Sequence, residues 1–346
     1  MTARGFDGIL GHERPIEVLT RLLNDGRLPH GVLLHGPSSI GKGLVARRLA
    51  ASLLCTEQPI RCGRCPSCHA FDVEGHPDLA IVSRMPKKSA TGSTEEDDLR
   101  RDIVVDQIRE MTRLSGLAPR LGARRVFVID PADAMNRAAQ NALLKTLEEP
   151  PGNGVVILVA ARPHLLLTTV RSRSFALGFA SLATRDLSER LVERGIADDE
   201  AMPRAALAEG RAGLALELDV ESASERRAAV LEILETLLLG PEGIAELPAA
   251  AVALAGKTET QWLENVDLLT GLLRDAGRAA LDKENPALIH ADLAARLAVS
   301  GRRLTPVRVA ALLRSIEHVR SGLRLNLNRT LAAETVLAAI AGGPLP

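Results

Sequence analysis

Residues 31 to 43, Gly-Val-Leu-Leu-His-Gly-Pro-Ser-Ser-Ile-Gly-Lys-Gly, narrow the possible folds more than any other stretch. A short apolar run (31–35) breaks into the spacing G-x-x-x-x-G-K at Gly36, Gly41 and Lys42, and a helical pattern follows at 44–54. A strand that turns through glycines into a helix aims successive backbone N–H groups, and the positive end of the helix, at one point. That is a cradle for phosphate. The lysine of such a loop reaches the outer phosphates, and a hydroxyl after it holds Mg²⁺. Here Gly43 stands in the place of the hydroxyl. Gly36, Gly41 and Lys42 are therefore the candidate contacts of a degenerate nucleotide site, from which Mg-ATP chemistry is not expected. The plainer alternative is a glycine-rich turn with no ligand.

The first half of the chain goes on alternating. Apolar runs at 79–83, 125–130 and 155–160 read as strands. The patterns at 105–117 and 134–149 read as helices, the second stopped by Pro150-Pro151. This predicts an α/β fold with a parallel sheet covered on both faces. The third strand ends on Asp130, the place of a carboxylate near the metal in such sites, and this completes the degenerate nucleotide site. Pro131 follows where a catalytic base would stand and cannot accept a proton. Asp130 reads equally well as the cap of the next turn. Beyond about residue 180 the strands vanish. Helical patterns at 186–196, 201–218 and 225–239 follow, with connections at 240–250 and 284–287. The polar segment 85–102 reads as a solvated loop between a strand and a helix.

Composition removes several classes of function. The 346 residues, enough for two or three domains, carry 43 basic and 43 acidic side chains, which excludes a uniformly basic nucleic-acid coat. Aromatics are 2%, with no Tyr and the single Trp262, so base-stacking platforms are excluded and Trp262 reads as a core residue. No apolar run approaches the roughly 18 residues of a membrane span, and the first residues carry no apolar leader. A cytoplasmic protein is expected.

All four cysteines lie together as Cys55-x₆-Cys62-x₂-Cys65-x₂-Cys68. Four soft thiolates satisfy a closed, structural Zn²⁺ site, with no open position for catalysis. Buried reduced cysteines are the alternative, but Arg61, Gly63, Arg64 and Pro66 around them argue against an apolar pocket. His69 and His76 are left out of the ligand set because four sulfurs suffice.

Several segments together resemble the bacterial DNA polymerase III clamp-loader family. They are Leu28-Pro29-His30 running into the glycine loop through Pro37, the cysteine cluster, and His76-Pro77-Asp78. Asn141-Ala142-Leu143-Leu144-Lys145-Thr146-Leu147-Glu148-Glu149-Pro150-Pro151 is similar too, and Ser172-Arg173-Ser174 is similar to that family's Ser-Arg-Cys. The likeness runs through most of 8–180. Further on it rests on helical pattern, and on Asn328-Arg329 with Glu334 as the last helix. It implies a P-loop AAA+ core over 1–180 with a zinc module at 55–68. A helical lid over 181–220 and an all-helical collar for oligomerisation over 221–346 would follow.

Within such a family the departures point to the non-hydrolysing, delta-prime type of subunit. Gly43 and Pro131 are joined by Ala160-Ala161, where active subunits carry hydroxyls. Leu214, in Gly210-Arg211-Ala212-Gly213-Leu214-Ala215, takes the place of a nucleotide-sensing Arg. The resemblance implies that Arg173 is an arginine finger acting on a neighbour's ATP site; a solvated basic turn beside Arg171 is the alternative. It also implies a hetero-oligomer with gamma/tau and delta subunits that loads the sliding clamp on primed DNA. The chain would then be an accessory subunit of a holoenzyme whose polymerase activity resides elsewhere, working at the replisome. An active clamp-loader ATPase is the rival reading.

Overall fold

The computed structural model describes residues 5–85, 102–149, 152–238, 241–282, 288–322 and 328–342. Most of the 85–102 segment, Pro150-Pro151 and the connection at 284–287 lie outside the described residues. The chain divides into two compact units. One holds residues 1–182 together with 211–214, and the other holds 183–210 together with 215–346.

In the first unit the order is α1 (Glu13–Asn24), β1 (Gly31–His35), α2 (Lys42–Leu54), α3 (Pro66–Asp72), β2 (Leu79–Val82) and α4 (Val105–Ser115). Then come β3 (Val126–Ile129), α5 (Arg137–Glu148), β4 (Val155–Ala160), α6 (Thr168–Ser172) and β5 (Phe175–Gly178). The five strands form one sheet in the order β2-β3-β4-β1-β5, and every pairing is parallel. A parallel sheet is buried on both faces, which is why its strands read as continuous apolar runs. The side chains sort by alternation. Val32, Leu34, Val126, Val128, Ile157 and Val159 pack with Leu19 of α1 and Leu49 of α2. Leu33, Phe127, Ile129, Val156 and Leu158 face Ile108 of α4, Leu143 of α5 and Val170 of α6. This is the α/β P-loop core expected from the sequence.

The structure departs from the sequence reading in several details, two of them in the first unit. Strand β5 is absent from the sequence reading because its apolar run, Phe175-Ala176-Leu177 closed by Gly178, is too short to set a period. The helix read at 134–149 begins later, at Arg137, because the Asn136 side chain caps it by accepting from the Ala139 N–H at 2.8 Å.

The remaining helices are α7 (Thr184–Glu193), α8 (Asp198–Leu207), α9 (Ala212–Glu217), α10 (Val220–Leu238), α11 (Leu247–Ala255), α12 (Glu259–Leu281), α13 (Ala294–Gly301), α14 (Pro306–Gly322) and α15 (Arg329–Ile340). No strand occurs among the described residues after β5. Helices α10 to α15 share one apolar core that encloses the fully buried Trp262. No described helix is long and apolar enough to cross a membrane.

Candidate functional site

The glycine loop leaves β1 at Gly36 and enters α2 at Lys42, with Gly41 in left-handed backbone as the N-cap. Gly36 is required for space: a β-carbon there would stand 2.1 Å from the Phe179 carbonyl oxygen. The loop is held from outside by two contacts. Buried His12 donates from Nε2 to the Ile40 carbonyl at 2.7 Å and lies edge-on to Phe179 at 5.0 Å. The Ser39 carbonyl accepts the N–H groups of Gly213 and Leu214 at 2.8 and 3.2 Å. The segment that carries Leu214 therefore meets the loop through backbone hydrogen bonds.

The Lys42 ammonium turns back onto the loop. It donates to the Gly36 carbonyl at 2.8 Å and to the Pro37 carbonyl. Burial lowers its pKa to about 8, against the opposing charges of Asp130 and Asp133. Burial likewise raises the pKa of Asp130, which the Lys42 charge opposes. Asp130 Oδ2 sits over Gly43, so the position after the lysine is filled by a carboxylate rather than a hydroxyl. Asp133, to which the sequence reading gave no role, is almost fully buried. It accepts the Ala161 and Arg162 N–H groups and pairs with the Arg162 side chain, each at 3.3 Å. That fixes the end of β4, where no hydroxyl is available.

The four cysteines converge. Their sulfurs lie within 4.8 Å of one another, with Cys55–Cys65 at 4.0 Å and Cys62–Cys68 at 3.9 Å. A tetrahedral zinc with bonds of about 2.3 Å sets its sulfurs about 3.8 Å apart, so the residues fit that ion. The backbone supports such a site. Cys65 N–H points at the Cys62 sulfur and Cys68 N–H at the Cys65 sulfur, both at 3.4 Å. Burial works against a Cys65 thiolate, but N–H groups of Thr56 and Cys68 outweigh it and bring that thiol down to about 6. Burial and the neighbouring sulfurs push Cys68 up to about 12.

His76 stays outside the cluster, for a reason the geometry states. The Ser67 hydroxyl donates to the Leu54 carbonyl at 2.7 Å, so it accepts from His76 Nε2 at 2.8 Å. The other ring nitrogen accepts the Asp78 N–H at 3.1 Å. Both nitrogens of a neutral ring are thereby committed, and burial, opposed by Asp78, keeps its pKa low. Asp78 in turn accepts the N–H groups of Arg120, Leu121 and Gly122 at 2.8, 2.7 and 2.8 Å. His76-Pro77-Asp78 is thus the joint between the cysteine module, β2 and the 120–122 turn.

Arg173 follows α6 and is exposed. Its guanidinium donates to the Thr169 carbonyl at 3.2 Å and pairs with Glu148 at 2.5 Å. Its own carbonyl oxygen lies 3.1 Å from where a β-carbon of Gly31 would be. Arg173 therefore stands at the start of β1, whereas the phosphate loop leaves the other end. Gln140 of α5, another residue the sequence did not flag, fixes the approach to α6. It donates to the Leu165 carbonyl at 3.2 Å and accepts the Leu167 N–H at 2.7 Å.

A family model described as DNA polymerase III, delta subunit matches residues 11–183. The chain is 30% identical over 324 residues to a DNA polymerase III subunit delta' of Pseudomonas aeruginosa, covering 92% of this chain and 93% of that one. It is 29% identical to the subunit delta' of Bacillus subtilis over 65% of this chain and 64% of that one. A gamma/tau subunit of Mycobacterium bovis is 32% identical over 57% of this chain, which spans only 33% of that longer protein.

Proposed function

Since the chain belongs to the DNA polymerase III delta-prime family of clamp-loader subunits, we propose that it is the non-hydrolysing member of its complex and lends Arg173 to a neighbour's ATP site. One observation carries the reading, the distance between the two ends of β1. Arg173 lies against Gly31, and the loop begins five residues later. At about 3.3 Å per residue the two are about 17 Å apart, beyond the reach of an arginine side chain. An arginine so placed does not serve its own loop.

The loop itself is closed on its own groups. Lys42 is satisfied by two loop carbonyls, Asp130 covers Gly43, and Pro131, Ala161 and Leu214 offer no base, hydroxyl or charge. The chain's work is then positional. It holds one end of an arc of related subunits, including gamma/tau and delta, that opens the sliding clamp and sets it on primed DNA. Arg173 would neutralise charge on the phosphoryl group in transfer, worth about 10³–10⁵ in rate where such fingers act. Its planar fork suits phosphate oxygens. Cys55, Cys62, Cys65 and Cys68 would hold one zinc ion as a structural fastening of residues 55–68 at the end of α2.

Reconstitution tests this. The isolated chain should show no Mg-dependent ATP turnover. Adding it to gamma/tau and delta subunits should raise clamp loading and ATP hydrolysis together. Substantial turnover by the isolated chain would identify it as an active ATPase instead.

A further inference from the structure

Arg173 is not free to meet a phosphate. Its Nη2 lies 2.5 Å from Glu148 Oε1, and its Nη1 donates to the Thr169 carbonyl. Both ends of the fork are occupied within the chain. Glu148 is the last residue of α5, so the guanidinium also meets the negative end of that helix. The same helix holds the approach to α6 through Gln140, which is buried and bonded on both sides of its amide. The two attachments differ in kind. That of Gln140 is sealed from water, while the Arg173 and Glu148 side chains are 37% and 47% exposed. An exposed ion pair is weak and exchangeable. A triphosphate carries more charge than one carboxylate and accepts the fork bidentately, so it displaces such a partner.

From this we propose that Glu148 is the resting counter-charge of Arg173, a positioning residue that a neighbouring subunit's nucleotide phosphate must displace before the arginine engages. The inference rests on the reading of Arg173 as a finger in trans. It adds a threshold: the arginine is held ready but is released only to a group more anionic than a carboxylate. An empty site then leaves it on α5.

The test uses the reconstituted complex with Glu148→Gln, which keeps the size and removes the charge. ATP hydrolysis is measured against ATP concentration without clamp or DNA. The expected result is a half-saturating ATP concentration lowered by up to about fivefold, the worth of an exposed pair, with the maximal rate nearly unchanged. In an Arg173→Ala background, Glu148→Gln should change nothing further. An unchanged or raised half-saturating concentration, in a complex where Arg173→Ala does lower hydrolysis, would overturn this inference and leave the finger standing. Wild-type hydrolysis with Arg173→Ala would remove the finger, and the threshold with it.

Discussion

Asp130 Oδ2 lies 2.9 Å from the point where a β-carbon on Gly43 would be. The glycine that breaks the phosphate-loop pattern is thus also the space that a buried carboxylate uses. Restoring a hydroxyl there does not simply restore a metal ligand, because Asp130 must first move. Groups that act as a unit in catalysis are strongly non-additive. Gly43→Thr alone should therefore leave the isolated chain without measurable Mg-ATPase, since Pro131, Ala161 and Leu214 remain. A radiolabelled-phosphate release assay checks this, and robust turnover would show that those three residues do not disable the site.

The thiol cluster predicts one Zn²⁺ per chain by elemental analysis, with all four thiols slow to titrate in the native protein. A strong chelator should open residues 55–68 to protease while the α/β core stays folded, because that core has its own apolar packing on both sheet faces. Four freely reactive thiols in zinc-free native protein would contradict the assignment.

Asp78 should control acid stability. Burial alone would raise its pKa, but three backbone N–H donors and the Arg125 charge outweigh this and hold it below 3.8. As pH falls, the unfolded chain takes up the proton first. The contribution of Asp78 is therefore complete above 3.8 and is lost as pH drops through the lower folded value. Asp78→Asn leaves buried Arg125 without its carboxylate. It should cost about 3–5 kcal/mol at pH 7. The gap between wild type and variant should narrow below pH 3.8 in urea unfolding. A gap that is constant with pH would assign the cost to packing instead.

The sheet was legible because it is parallel and buried: four of its five strands announce themselves as apolar runs. The fifth, Phe175–Gly178, did not, because three apolar residues closed by a glycine are too short a run to tell a strand from a turn. The glycine loop and the cysteine cluster were legible because phosphate and metal sites fix spacing along the chain. Their supports were not. His12 reaches Ile40 across 28 residues, and Gly213 meets Ser39 through a backbone N–H where a β-carbon would stand 2.8 Å from the Ser39 carbonyl oxygen, a closeness that only the fold reveals. Asp133 and Gln140 act on backbone groups of distant segments, which leave no local pattern to read. Glu148 was visible in its motif, but nothing in the sequence paired it with Arg173.

The most direct measurement is DNA- and clamp-stimulated ATP hydrolysis by a complex reconstituted with Arg173→Ala. The side chain is exposed, and its loss should cost the fold no more than about half a kcal/mol, so the variant should still assemble. Hydrolysis at the site it serves should fall by about a thousandfold. Total hydrolysis should drop only in part, because other sites have other partners, and clamp loading should fall further than total hydrolysis. Arg173→Lys should not restore it, because a point charge lacks the fork. Wild-type hydrolysis and wild-type loading with Arg173→Ala would contradict the account and leave the chain as a scaffold alone.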